Sequence, residues 1–174
     1  LGPIYRFNHY DIGSNKVESA DIRRGWRELG KNHYDQAINS FKLALRKNPE
    51  SAEAYNGLAS FWEYKKDYDK AIKYLSKAIE IEHRVKYKAG YFYLRALMWM
   101  EKSDFDRAIE DYTNAIQNDP TLFYAYVNRA HCDRKIGKLQ AALADYDKAL
   151  ELAPKHTIAY EKAFGGRKDL LVEI

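Results

Sequence analysis

Tyr34-Asp35-Gln36-Ala37-Ile38 returns three times along the chain, as Tyr68-Asp69-Lys70-Ala71-Ile72, Phe105-Asp106-Arg107-Ala108-Ile109 and Leu139-Gln140-Ala141-Ala142-Leu143. The alanines Ala37, Ala71, Ala108 and Ala142 are 34, 37 and 34 residues apart. Four residues after each comes Phe41, Leu75, Tyr112 or Tyr146, and seven residues after each a second alanine, Ala44, Ala78, Ala115 or Ala149. Five residues further on stand Pro49, His83, Pro120 and Pro154. Self-similarity at a fixed period of this size marks a repeat array, and each repeat is then one supersecondary unit.

Working outward from the anchor, another small residue precedes each alanine by twelve: Gly25, Ala59, Ala96 and Ala130. Two helical stretches flank a turn at Asn32-His33, Lys66-Asp67, Ser103-Asp104 or Gly137-Lys138. Small residues let two antiparallel helices approach closely, and the intervening rings fill the space between units. The recurring proline ends the second helix because it forces the residue before it out of helical geometry. No such pair buries its apolar faces alone, so stacking on neighbours supplies the core.

The pattern resembles the tetratricopeptide repeat family over residues 18–156. With the anchor alanine at repeat position 20, the repeats run 18–51, 52–85, 89–122 and 123–156. Position 4 is aromatic in Tyr55, Phe92 and Tyr126, but Asp21 in the first repeat. The resemblance implies an all-α, right-handed helical-repeat solenoid of antiparallel helix pairs with one concave groove. Residues 157–174 are expected to add a capping helix and tail. Residues 1–17 fit no repeat and form an N-terminal extension that could pack on the first helix pair.

Composition bounds the function. Of 174 residues 46% are hydrophobic, enough for a core, but no apolar run approaches the ~20 residues of a membrane helix. The start, Leu1-Gly2-Pro3, has neither a secretory signal nor an initiator Met, so the chain reads as an excised fragment. The single cysteine, Cys132, allows no internal disulfide and points to a reducing, cytoplasmic compartment. Net charge is +4, yet residues 89–122 carry −3 and every segment mixes signs. A phosphate-binding surface gathers its cations along a stripe, so nucleic acid is a disfavoured partner. No phosphate-cradling glycine loop or nucleophile elbow occurs. His9, His33, His83, His131 and His156 lack metal-ligand spacing. The chain is expected to be no enzyme and to hold no metal or cofactor.

The resemblance implies a protein-interaction scaffold or adaptor that takes a peptide or partner segment into the groove. A self-assembling or spacer module of a larger protein is the alternative. Positions 2, 5, 6, 9, 12 and 13 of the first helices line the concave side in this family. They supply the candidate groove residues Trp26, Asn56, Tyr64, Tyr93, Leu94, Leu97, Met100, Tyr124, Asn128 and His131. The third repeat is the apolar part of that floor, unless Leu94 and Leu97 pack against the adjoining helix. The family's chaperone-binding carboxylate clamp is not implied. Asn128 matches it, but Tyr93 and Leu97 stand where Lys and Asn belong, and the cap offers Ile158 and Lys162.

Three finer expectations follow. Ala78 to Phe92 spans 14 residues where the other junctions use 11, so the second helix of repeat two should run a turn longer, carrying Arg84 and Lys86 outward. Gly165-Gly166 costs about 2 kcal/mol in a helix relative to alanine, so the cap should break there. The apolar tail Leu170-Leu171-Val172 then folds back or docks on a second copy, which makes a homo-oligomer a candidate assembly. Finally, positions 7 and 23 switch character together: Arg95 with Asp111, Arg129 with Asp145, but Leu58 with Tyr74. Each arginine should meet its aspartate between the two helices of one repeat.

Overall fold

Five side chains among the described residues begin helices by accepting a hydrogen bond from the first turn, which supplies a partner for an otherwise orphan N–H, Thr157 among them with Tyr160 N at 3.2 Å. Ser19 accepts from Ile22 N at 3.3 Å and Ser51 from Ala54 N at 3.2 Å. Asp67 accepts from Lys70 N at 3.1 Å and Asp104 from Arg107 N at 3.2 Å. The computed structural model describes residues 19–173. Among the described residues the chain is all-α, with helices α1 (Ala20–Gly30), α2 (Tyr34–Lys47), α3 (Ala52–Tyr64), α4 (Tyr68–Ile81) and α5 (Val85–Glu101). They continue as α6 (Phe105–Asn118), α7 (Phe123–Lys135), α8 (Leu139–Leu152) and α9 (Ile158–Glu173). The N-terminal extension, with the expectation that it packs on the first pair, lies outside the described residues.

The turn within each helix pair is built the same way four times. Asn32, Lys66, Ser103 and Gly137 all have positive φ, at 62°, 58°, 59° and 79°. The next residue's N–H reaches back to the helix, as in Asp67 N to Trp62 O at 2.9 Å and Lys138 N to Asp133 O at 2.8 Å. A left-handed residue followed by this long return bond terminates a helix and satisfies its last carbonyls. Only repeat four uses the residue that takes this conformation without cost; the other three carry about 1–2 kcal/mol of local strain. Asp67 and Asp104 also pair with Lys70 and Arg107, whose cations lie over the Trp62 and Trp99 rings at 3.9 and 4.0 Å.

The chain divides into two units, one up to Tyr91 and one from Phe92 onward. In the first, α1 packs on α2, α2 on α3, α3 on α4, and α1 also touches α3. Phe41 is fully buried at the centre. A Cβ added to Gly25 or Gly57 would sit 2.5 or 2.3 Å from its ring, so both glycines are there because α1 and α3 press against that ring. Trp26 meets Phe41 edge-on, with centroids 5.2 Å apart. In the second unit α6 packs on α7, α7 on α8, and α9 covers both α7 and α8. The anchor alanines and their partners seven residues on are buried throughout, as are Phe41, Leu75, Tyr112 and Tyr146.

Two expectations are corrected. Helix α4 ends at Ile81, with Glu82 already extended at ψ 122°. The extra residues lengthen the following helix instead: α5 has 17 residues where α3 and α7 have 13. Glu82 causes the change of direction. Its buried carboxylate accepts from Arg84 N at 3.0 Å and from the Arg84 guanidinium at 2.8 and 2.7 Å, which stops α4 and starts α5 three residues later. The second correction is that α9 does not break at Gly165-Gly166 but runs through to Glu173. Leu170, fully buried among Tyr126, Val127, Ala130, Ala142 and Tyr146, holds it there. A Cβ at Gly166 would lie 2.5 Å from the Tyr146 ring, while one at Gly165 would meet nothing. Gly166 therefore allows a close helix approach.

Candidate functional site

In the first unit, α1, α3 and the start of α5 bring a small polar network together. The Trp26 indole donates to Glu53 Oε1 at 2.9 Å, and the Tyr91 phenol donates to Glu53 Oε2 at 3.2 Å. Burial, and the carboxylates Glu53 and Glu82, push the Tyr91 phenol far above its ordinary pKa, so it remains a donor. Asn56, one helical turn after Glu53, is buried and its Oδ1 has no partner among the described residues. Tyr64 is not part of this group. It ends α3, is half exposed, and stacks on Tyr34 at 4.2 Å, with the Lys65 ammonium 5.9 Å from its ring. Glu53 and Tyr91 were absent from the candidate set, although an acid at a groove position opposite an indole was the available signal.

In the second unit, α5 and α7 bring Tyr93 and Asn128 together. Asn128 Nδ2 donates to the Tyr93 phenol oxygen at 3.2 Å, and the Tyr93 ring lies 5.8 Å from that of Tyr112. Tyr93 and Leu97 are 0% and 3% exposed. The apolar third repeat thus puts these two residues into the interior, as helix packing requires, and not on an open floor. Leu94, Met100, Tyr124 and Asn128 are partly accessible, and His131 is exposed. The Tyr112 phenol points at Met100 Sδ, 3.9 Å away.

The arginine–aspartate pairs are present as the repeat comparison required. Arg95 donates to both oxygens of Asp111 at 2.8 Å, and Arg129 to those of Asp145 at 2.7 and 2.8 Å. Arg129 Nη1 also donates to Thr113 at 2.9 Å. Both guanidinium groups are thereby committed to structure between helices. In repeat two, Leu58 and Tyr74 belong instead to one apolar cluster around Phe41.

The electrostatics of α7 are uneven. Partial burial, and then the cations Lys135, Arg134 and Lys162, lower the His131 pKa, so the imidazole is neutral at pH 7. Burial, and then Asp145, raise that of Asp133. Burial pushes the Cys132 thiol up to about 12, which leaves it unreactive at neutral pH. Among the described residues no group of three His, Cys, Asp or Glu could hold a metal ion, and no helix is long and apolar enough to cross a membrane.

Comparison with known proteins agrees with this geometry. Residues 22–82 and residues 123–156 each match a tetratricopeptide repeat model. Human serine/threonine-protein phosphatase 5 is 33% identical over 89 residues, which is 51% of this chain. The chain spans 17% of that curated relative's length, and its catalytic activity does not carry over on such a share. Among solved structures, the Arabidopsis OM64 TPR domain superposes with a TM-score of 0.64 at 26% identity, over 72% of this chain and 98% of that one. Yeast Tom70 superposes with a TM-score of 0.78 at 23% identity, over 87% of this chain and 32% of that one. YrrB, described as a TPR protein with an unusual peptide-binding site, gives 0.69 at 19% identity, over 88% and 80%. At these identities the likeness to Tom70 and YrrB establishes the all-α helical-repeat solenoid fold.

Proposed function

Because the chain belongs to the tetratricopeptide repeat family, we propose that it is a protein-interaction scaffold that binds a peptide or partner segment on the face of its first helices. In the second unit this surface consists of Leu94, Met100, Tyr124, Asn128 and His131; Tyr93 and Leu97 support it from beneath. In the first unit it takes in Trp26, with the buried Asn56 on the adjoining α3, and, apart from them, Tyr64 at the end of α3. The observation that carries the reading is the accessible run Tyr124, Asn128 and His131 on α7, spaced at four and three residues and so on one helix face. Aromatic, amide and imidazole groups on one face suit a polypeptide, which offers both apolar side chains and backbone polar groups. Peptide-binding relatives of the same fold lend support. The buried, unreactive Cys132 fits a reducing cytoplasmic setting.

A photo-reactive phenylalanine analogue at Tyr124 tests this. Crosslinks to a partner from position 124, and none from Gln140 on α8, are the expected result. Equal crosslinking from both positions would defeat the groove reading. A second reading, self-assembly, draws on α9, where Phe164, Leu171 and Val172 are 52%, 49% and 86% exposed. Sedimentation across a concentration series separates the two readings: a constant monomer rules out assembly.

A further inference from the structure

Helix α9 buries one side and leaves the other bare. Ala159, Ala163 and Leu170 are buried in the second unit. Ile158, Glu161, Phe164, Lys168, Leu171 and Val172 are exposed, and spacings of three and four residues gather them on the opposite side of the helix. Two features of that side set α9 apart from the earlier first helices. Phe164 stands where they carry the small residues Gly25, Ala59, Ala96 and Ala130, all buried. On α1 this place faces the second helix of its own repeat, since a Cβ at Gly25 would lie 2.5 Å from the Phe41 ring. A phenylalanine there keeps another helix of the repeat type from approaching as closely. Gly165 is the other feature. A Cβ on it would meet nothing, so packing within the chain gives no reason for a residue that weakens a helix relative to alanine.

Charge and register identify the occupant. Glu161 and Lys168 lie on the bare side, about 5 Å before and after the midpoint between Phe164 and Gly165. Neither side chain has a partner among the described residues. A second α9 running antiparallel about that midpoint sets each Glu161 against the Lys168 of the other copy. The same two-fold axis sets Ile158 against Leu171 and lays each Phe164 ring over the open Gly165. A parallel copy would oppose Glu161 to Glu161 and Lys168 to Lys168, which costs what the antiparallel pair gains. Resting on the self-assembly reading above, we infer that the outer side of α9 binds a second copy of this chain, as an antiparallel pair with its axis between Phe164 and Gly165. Such an interface is self-complementary, as a closed dimer requires. One helix per copy falls short of the ~800 Å² per partner of a standard interface, so the dimer is reversible and its population follows concentration.

Sedimentation equilibrium of the full chain tests this, from about 5 to 500 µM and at low salt, where exposed charges are least screened. The native chain is expected to show a monomer–dimer equilibrium in that range. Glu161→Lys and Lys168→Glu each place like charges at both contacts and should raise the dissociation constant about tenfold. An equimolar mixture of the two variants should associate about as tightly as native, because E161K meets K168E with opposite charges twice. Phe164→Ser should weaken the dimer as well, while Glu110→Lys on α6 changes it less than about twofold. Circular dichroism confirms the fold of every variant. A constant monomer would overturn both the α9 pair and the self-assembly reading. Association unchanged in E161K and K168E, or a mixture no tighter than either variant alone, overturns the α9 pair and leaves self-assembly by another surface standing.

Discussion

Replacing Arg129 with Met removes the guanidinium from Asp145, whose side chain is only 10% exposed and which lies near a second buried acid, Asp133. Breaking a buried pair by deleting one partner costs about 3–5 kcal/mol, whereas an exposed pair is worth about 0–1 kcal/mol. The Arg129 side chain is 20% exposed, so the lower end of the buried range applies, about 3 kcal/mol for R129M. Asp145→Asn should cost less, about 2 kcal/mol. The guanidinium then keeps its bond to Thr113, and the amide oxygen still accepts one bond. Because each single change leaves the other partner unsatisfied, the double variant R129M/D145N should be little worse than R129M. That gives a coupling energy of about 1.5–2 kcal/mol. Urea unfolding followed by far-ultraviolet circular dichroism measures it, with fluorescence as a second probe, since repeat arrays can unfold in stages and the two transitions must coincide. A coupling below about 0.5 kcal/mol would place the pair among surface ion pairs and refute its role between α7 and α8.

Asp133 should gain from neutralisation. Its carboxyl pKa is raised in the folded state, so the charged form destabilises the fold at neutral pH and the penalty fades as pH falls through the raised value toward the ordinary 3.8. Asp133→Asn is therefore expected to melt higher than native at pH 7, with the difference closing under acid; an equal shift at both pH values would contradict this. The two neighbouring glycines of α9 should respond oppositely in thermal melts. Gly165→Ala, facing open space, gains up to about 1 kcal/mol, and Gly166→Ala, forced into Tyr146, loses about 1–3 kcal/mol. Equal responses would mean that α9 does not approach α8 as described. Leu170→Ala should cost about 2–5 kcal/mol as a core truncation, while Val172→Lys should leave stability within about 0.5 kcal/mol and abolish any self-association seen in sedimentation.

The sequence by itself determined the repeat, the helix pairs and the interior of each. Alanines and bulky apolar residues in constant phase can be satisfied only by close-packed helices, and the anchor alanines, their partners seven residues on, and Phe41, Leu75, Tyr112 and Tyr146 are all buried. It also determined the Arg95–Asp111 and Arg129–Asp145 pairs, because partners sixteen residues apart in one repeat change together from ionic to apolar. It did not determine where three extra residues go. Either helix at the junction can absorb a turn without disturbing the period, and Glu82 decides the matter through a bond to Arg84 that periodicity does not encode. Tyr93 and Leu97 were misplaced for a related reason: successive residues on a helix are rotated by about 100°, so the border between groove and inter-helix contact depends on how closely α7 approaches α5. Helix propensity alone broke α9 at its two glycines, and the burial of Leu170 outweighs it.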